Sequence, residues 1–301
     1  MKARIRKNLG VYYMIIASLF FAFTGAFGKA LSAGGMSSVE VAFFRNLVGL
    51  TIVAWAIYKF GHVSKGGRPV LLVVRGLVGT ISMLALFYNI ATMGLAESFT
   101  FAKMSSIFVA VFGVIFFKER LSTSVWVGIF VGFLGIVCIM QPNIGFTKND
   151  LTGLINAVLA AAAYMSVYEL KKYYDTKLII FSFVFTGTVV PMLFMLVAEF
   201  FNVPASLDFL FAKFIVPTPK MWIYIVLMGL CGLMFQTYMT KAYATTKKAG
   251  VIAAISYVDI LFTLIIGIAM GDSLPDLLAF FGIILVVVSG VIVAIQKPSK
   301  K

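Results

Sequence analysis

The sequence predicts an all-α polytopic membrane protein whose ten transmembrane helices form two inverted five-helix repeats. Composition gives the class: 61% of the 301 residues are hydrophobic, 12% are charged and the mean hydropathy is +1.04. A soluble chain of this length needs a polar shell, which so few polar residues do not supply. A transmembrane β-barrel would show alternating segments of about 10 residues, and this sequence has none.

Apolar runs recur along the chain, each near the length of about 20 residues that a helix needs to cross a bilayer. We expect helices at residues 10–31, 39–60, 70–93, 98–117, 124–141, 151–170, 178–202, 220–243, 249–271 and 276–296. The short loops predict that helices adjacent in sequence pack as antiparallel hairpins. The first run follows a basic segment, as in a signal peptide, but its length favours a retained first helix.

The net charge of +14 comes mainly from Lys and Arg in the gaps between apolar runs. When the loops are assigned alternately to two sides, seventeen of these residues fall on one side and three on the other, namely Lys148, Lys213 and Lys220. Because cytoplasmic loops carry the excess of Lys and Arg, both termini are expected in the cytoplasm. The same distribution favours orientation signals over a nucleic-acid-binding surface.

An internal match indicates a duplication. Residues 96–121 align without gaps to residues 249–274, with Glu119 opposite Asp272. Each half, residues 1–142 and residues 151–298, holds five predicted spans. An odd number of spans inserts the second copy in the opposite direction, which allows two states of similar energy, each open to one side. The duplication therefore favours alternating-access transport, with a static membrane scaffold as the other interpretation.

Several segments together resemble a known family. The stretch KERLSTSVWVGIFVGFLGI (118–136), the stretch FFRNLVGL (43–50) with Arg45, and the five-plus-five layout are similar to the EamA family of the drug/metabolite transporter superfamily. The resemblance covers essentially the whole chain. It implies a secondary transporter in the inner membrane of a bacterium, with a substrate among amino acids, vitamins, nucleotide-like metabolites and toxic compounds.

The chain departs from that family pattern in the fourth and ninth spans. Family members often have a proline about 13 residues before the acidic residue that ends these spans. Here the two positions hold Ser106 and Asp259, so the proline bend common in the family is absent from both helices and the family pattern does not predict their shape.

Asp259 is the only carboxylate deep in a predicted span. An unpaired charge there costs about 2.5–3.5 kcal/mol on insertion scales. Protonation, a salt bridge to Lys103, or contact with a hydrated cavity, a substrate or a coupling proton would each offset that cost. A fixed bridge between the two helices is the structural alternative, and Lys103 has a further one in reaching for the outer membrane interface.

Other polar residues within the spans are candidates for substrate binding. Arg45 predicts either a carboxylate or phosphate clamp or an anchor to a carbonyl or headgroup. For Arg75, Lys241 and Lys29 we expect side chains that extend to the membrane interface. Hydroxyls, amides and polar-tipped aromatics suit a binding cavity or, alternatively, hydrogen bonds between helices; this set is Ser106, Tyr88, Asn89, Gln236, Tyr238, Tyr257 and Tyr164.

No catalytic or cofactor-binding motif is visible in the sequence. His62 is the single histidine and lies in a basic loop, while Cys138 and Cys231 lie in apolar runs without metal-ligand spacing. A phosphate loop that would bind ATP is also missing. The sequence therefore predicts a secondary transporter of a small, anionic or zwitterionic metabolite, without metal or cofactor. The alternatives are a proton-coupled exporter of amphipathic compounds and a membrane enzyme or accessory subunit.

Overall fold

The computed structural model describes residues 2–118, 121–140, 147–246, 249–271 and 276–294. These residues form twelve α-helices and one short 3-10 turn, with no strand among them. The loop residues Glu119 and Asp272, which the internal alignment pairs, lie outside the described residues.

The helices run in chain order as follows: α1 Lys2–Ala33, α2 Ser38–Phe60, α3 Pro69–Thr92, α4 Leu95–Lys103, α5 Ser105–Phe117, α6 Thr123–Met140, α7 Lys148–Leu170, α8 Thr176–Phe200, α9 Pro219–Thr245, α10 Ala249–Ile255, α11 Val258–Ala269 and α12 Leu277–Ala294. The 3-10 turn, Ala205–Leu207, precedes α9. The order of elements matches the predicted spans, with the fourth and ninth spans each divided into two helices.

Eight stretches of helix in the described residues are long and apolar enough to cross a membrane. They are α1, α2, α3, the α4–α5 unit, α7, α8, α9 and the α10–α11 unit. The fifth and tenth predicted spans correspond to α6 and α12, which have 18 residues each. The prediction of an all-helical polytopic membrane protein is therefore confirmed.

Local sequence explains where several helices begin. Ser37 accepts a hydrogen bond from the amide of Glu40, whose carboxylate accepts one from the amide of Ser37; Thr147 and Asp150 form the same reciprocal cap. A proline begins both α3 and α9, where its missing N–H leaves no helical hydrogen bond unmade. The carboxylate of Glu40 also accepts a 2.6 Å hydrogen bond from the amide of Ile215.

The prediction that sequence neighbours pack as hairpins is wrong for most of the bundle. The largest helix–helix interfaces join the first half of the chain to the second: α1 with α9, α6 with α12, α3 with α7, and α2 with α8. Short loops limit how far consecutive helices can separate, but they do not decide which apolar faces meet. Packing across the halves places residues of both halves around the centre of the bundle.

The fourth and ninth spans, which lack the proline common in the family, are both broken by other means. The first breaks at Met104, between α4 and α5, and the second at Ser256 and Tyr257, between α10 and α11. Serine hydroxyls bond to carbonyls at both breaks: Ser105 donates to Ala102 at 2.5 Å, and Ser256 donates to Ala253 at 2.7 Å. Such side-chain bonds compete with the helical ladder and produce a break without proline.

Candidate functional site

The two broken helices meet at a buried salt bridge. Lys103 is the last residue of α4, and Asp259 is the second residue of α11. The ammonium of Lys103 pairs with Oδ2 of Asp259, and both side chains are almost fully buried. Of the outcomes expected for Asp259, the structure contains the ion pair, and Lys103 does not extend to the membrane interface.

Hydroxyl groups surround this salt bridge. The ammonium of Lys103 also donates to Oγ of Ser256 at 3.2 Å. Oγ of Ser106 donates to the carbonyl of Ala253 at 2.8 Å and lies 3.4 Å from Oγ of Ser256. These contacts join the fourth and ninth spans at their breaks, and Ser256 gives the ammonium of Lys103 a second hydrogen-bond acceptor.

A cavity lies beside the salt bridge, and the centre of a water-sized sphere can occupy about 60 Å³ of it. Its polar lining comes from four helices of the first half and two of the second. The polar and charged members are Thr24, Arg45, Arg75, Ser82, Lys103, Asn156, Tyr164 and Gln236. Its aromatic members are Phe21, Phe87, Phe99, Phe183, Phe235 and Tyr164. An apolar lining with a few convergent polar groups is typical of a site for a small molecule.

Arg45 lies in this cavity and is only 5% exposed. Its guanidinium donates to Oδ1 of Asn46 at 3.2 Å, to Sδ of Met83 at 3.1 Å and to the carbonyl of Gly232 at 3.3 Å. A Cβ at Gly232 would lie 2.6 Å from Nε of Arg45, so the glycine gives the guanidinium its room. The predicted anchor to a carbonyl is present, and Arg45 also lines the cavity, so its role as a carboxylate or phosphate clamp stays a prediction.

Arg75 overturns the expectation that it reaches the membrane interface. It is 1% exposed and lines the same cavity, with its guanidinium carbon 4.8 Å from the ring centroid of Phe183. Within the described part of the chain, no carboxylate forms an ion pair with Arg75 or Arg45. Gly79, one turn further along α3, leaves space for the Arg75 side chain because a Cβ there would meet it.

Neutral polar groups complete the lining. Ser82 and Asn156 exchange hydrogen bonds of 2.7–3.0 Å between α3 and α7, but Oδ1 of Asn156 has no partner. Nε2 of Gln236 is also buried without a partner. The ring of Tyr164 stacks on Tyr243, with centroids 5.5 Å apart. The cavity therefore offers an unused hydrogen-bond donor and an unused acceptor beside its cationic groups.

The remaining sequence candidates lie outside this lining. Tyr88 and Asn89 are near the start of α7, where Asn89 accepts a 2.5 Å hydrogen bond from Thr152. Tyr238 packs against α1, parallel to Phe20 at 6.2 Å. Tyr257 is fully buried at the break between α10 and α11. Their roles in binding stay predictions, while Asn89 has the interhelical hydrogen bond that the alternative interpretation expected.

Four polar lining residues were not among the sequence candidates, namely Thr24, Arg75, Ser82 and Asn156. Arg75 is the sixth residue of the predicted span 70–93. An arginine side chain can reach the interface from that depth, so its position alone did not distinguish the interface from the cavity. Ser82 and Asn156 gave no clearer signal, since isolated polar residues in spans usually bond to other helices. Of the other two cations assigned to the interface, Lys29 and Lys241, both are partly buried.

The sequence is similar to a known transporter family and to individual transporters. Residues 8–141 match the EamA-like transporter family. An uncharacterised transporter of Helicobacter pylori is 31% identical over 293 residues, which are 95% of this chain and 94% of the relative. The pseudopaline exporter CntI of Pseudomonas aeruginosa is 29% identical over 284 residues, 93% of this chain and 94% of its own.

Two further similarities are more distant. The S-adenosylmethionine uptake transporter of Rickettsia prowazekii is 20% identical over 253 residues, covering 84% of this chain and 81% of that protein. A solved crystal structure aligns over 93% of this chain and 96% of its own with a TM-score of 0.70 at 15% identity. At that identity the alignment shows a shared fold.

Proposed function

Because this chain belongs to the EamA-like transporter family of the drug/metabolite transporter superfamily, we propose that it is a secondary transporter of a small anionic or zwitterionic metabolite. Its relatives are membrane transporters, so the enzyme and accessory-subunit interpretations fall away. The observation that carries the proposal is a cavity, built from both halves of the chain, in which two arginines have no carboxylate partner among the described residues.

The matched helix breaks support alternating access between two inverted repeats of five spans. Lys103 and Ser256 occupy equivalent positions of the internal alignment, and their side chains contact each other at an offset of 153 residues. The same backbone hydrogen bond, to the carbonyl three residues earlier, recurs at both breaks: the amide of Met104 donates to Phe101, and the amide of Tyr257 donates to Ala254. Broken helices at a repeat interface are where such transporters bind their cargo.

The charge of the cavity supports a substrate with an anionic group. The ion pair with Asp259 neutralises Lys103, whereas Arg45 and Arg75 remain positively charged. A planar guanidinium forms two parallel hydrogen bonds with a carboxylate or phosphate, which orients as well as attracts the ligand. A zwitterion would place its negative end on these groups.

The pair of Lys103 and Asp259 supports a coupling role. A carboxylate that exchanges its partner between a lysine and a proton changes the charge beside the cavity, which links substrate binding to the proton gradient. In this account Asp259 is protonated from one side and releases its proton to the other.

The direction of insertion follows the distribution of Lys and Arg, which favours cytoplasmic termini. The bacterial relatives and the family together favour the inner membrane as the location.

A proton-coupled exporter of amphipathic compounds is the second candidate. Six aromatic residues line the cavity, and one relative is named as an exporter. Flat aromatic surfaces bind varied apolar ligands with few directional bonds, so this candidate predicts a broad substrate range.

Reconstitution into proteoliposomes tests the proposed function. Vesicles with folded protein are loaded in turn with labelled amino acids, carboxylates and nucleotide-like metabolites, and flux is followed in both directions. Saturable, protein-dependent movement of one class is expected. If no compound moves in either direction while the protein remains folded, the transport proposal is wrong.

A further inference from the structure

We propose that Arg45 and Arg75 form a two-guanidinium clamp that selects substrates with two carboxylates. The inference rests on the proposed function, because it assigns the substrate class of the same cavity. It begins from Arg75, which lies at full burial where a charged side chain is costly unless something neutralises it. Nε of Arg75 has no hydrogen-bond partner, and no carboxylate of the described residues pairs with its guanidinium.

Both arginines point at the same ring. The guanidinium carbons of Arg75 and Arg45 lie 4.8 Å and 5.6 Å from the ring centroid of Phe183. The two carbons are therefore no further apart than these distances together, which is within the span of one small metabolite. Arg75 belongs to α3 and Arg45 to α2, so the two guanidinium groups approach the cavity from different helices. Each group can therefore bind a separate carboxylate.

The arginines differ in how they are held. Arg45 already donates three hydrogen bonds to neutral groups, which fix its orientation. Arg75 is positioned by the ring of Phe183 and by the space at Gly79. Neutral partners fix a guanidinium without cancelling its charge, so both groups keep their attraction for an anion.

Charge balance then favours two carboxylates over one. Lys103 has its counter-ion in Asp259, so the excess positive charge of the cavity lies on the two arginines. A monocarboxylate would leave one guanidinium buried and unpaired, whereas a dicarboxylate neutralises both. The free Nε2 donor of Gln236 in the same lining offers a further hydrogen bond to a carboxylate oxygen.

Calorimetric binding to the purified full-length protein in detergent tests the clamp without requiring transport. The probes are malonate, succinate and glutarate, each paired with the monocarboxylate of the same carbon number: propionate, butyrate and pentanoate. Inorganic phosphate is included, since its shared anionic chemistry could fill the same groups. We expect at least one dicarboxylate to bind about 10-fold to 100-fold more tightly than its monocarboxylate partner, because it gains one charge-assisted contact.

Arg75→Gln should abolish that preference, reducing dicarboxylate affinity by about 10-fold to 100-fold while changing monocarboxylate affinity much less. Arg75→Lys keeps the charge without the planar fork and should retain part of the preference. Arg68→Gln is the matched control: Arg68 directly precedes the same helix, its side chain is 58% exposed and it pairs with Glu169 outside the cavity.

Three results would contradict the two-guanidinium clamp. Dicarboxylates that bind no more tightly than monocarboxylates, a preference that survives in folded Arg75→Gln protein, or binding of phosphate alone would overturn the clamp. None of these results removes transport, since flux of monoanions would still support the proposed function. Conversely, dicarboxylate binding by folded protein that moves no compound in either direction would leave the clamp intact and reject the proposed transport.

Discussion

Two sets of buried charge lie a short distance apart in this protein and are treated differently. Lys103 and Asp259 form a closed ion pair where the broken helices cross. Arg45 and Arg75 line the adjoining cavity without a carboxylate partner among the described residues. Burial alone therefore does not identify a binding group. A paired charge stabilises a helix contact, whereas an unpaired one remains available to a ligand.

The surroundings match this division. Serine hydroxyls and a backbone carbonyl surround the ion pair, and the crossing of α5 with α10 holds them in place. The two arginines instead lie over the ring of Phe183 and line the cavity, and the hydrogen-bond partners of Arg45 are all uncharged. We therefore expect substitutions in the first set to change stability most, and those in the second to change ligand affinity most.

The largest expected effect on stability comes from breaking the ion pair. Asp259→Leu leaves the Lys103 ammonium buried without a counter-ion, which should lower the free energy of unfolding by about 3–5 kcal/mol. The double variant Lys103→Met with Asp259→Leu removes both charges and should recover most of the loss. Unfolding equilibria in mixed detergent micelles measure both. A single variant as stable as the wild type would mean that the pair is not a stabilising contact.

Arg75→Gln should act in the opposite direction on stability. Removing a buried charge that has no protein counter-ion relieves its desolvation, so the free energy of unfolding should stay the same or rise by up to about 3 kcal/mol. The same unfolding assay, without added carboxylates, makes the comparison. A loss as large as that of Asp259→Leu would show that Arg75 has a structural partner and would erase the contrast between the two sets.

A smaller effect is expected at the crossing itself. Ser106→Ala removes the 2.8 Å hydrogen bond to the carbonyl of Ala253 and should cost about 1 kcal/mol. Ser166→Ala is the control, because its 2.8 Å bond to Ala162 stays within one helix. Equal losses in the two variants would argue that the crossing adds nothing beyond a local bond.

The smallest effect is expected for an exposed ion pair. Lys148 and Asp208 pair near the start of α7, with side chains 35% and 52% exposed. Asp208→Asn should change the free energy of unfolding by less than about 1 kcal/mol, and salt should reduce the change further. Unfolding at low and high salt checks this. A loss near that of Asp259→Leu would mean that burial does not govern the contribution of ion pairs here.

The order of the helices and the pairing of Lys103 with Asp259 could be predicted from the sequence. The apolar runs predicted the order of the helices, because a helix needs a minimum apolar length to cross a bilayer. The internal alignment paired Lys103 with Ser256 and Ser106 with Asp259, and these four side chains do lie together. A single charge in an apolar helix needs a partner, so the aligned acid was the natural one to suggest.

Other features depended on packing that a single sequence does not state. Arg75 was assigned to the interface because its distance from the end of α3 allowed that reach, whereas the orientation of the helix turns it inward. The breaks at Met104 and Tyr257 come from serine-to-carbonyl hydrogen bonds that a search for proline overlooks. Tyr88 and Asn89 looked like cavity residues, yet their helix position directs them to the start of α7.

Uptake of a labelled dicarboxylate into proteoliposomes tests the central claim most directly, with wild type, Arg75→Gln, Arg68→Gln and Asp259→Asn compared with and without a pH gradient. We expect saturable uptake by the wild type and Arg68→Gln, and loss of uptake in Arg75→Gln under both conditions. Asp259→Asn should lose gradient-driven uptake while exchange continues. Uptake by folded Arg75→Gln protein at the wild-type rate would contradict substrate binding by the arginines. Unchanged gradient dependence in Asp259→Asn would contradict proton coupling by the Lys103–Asp259 pair.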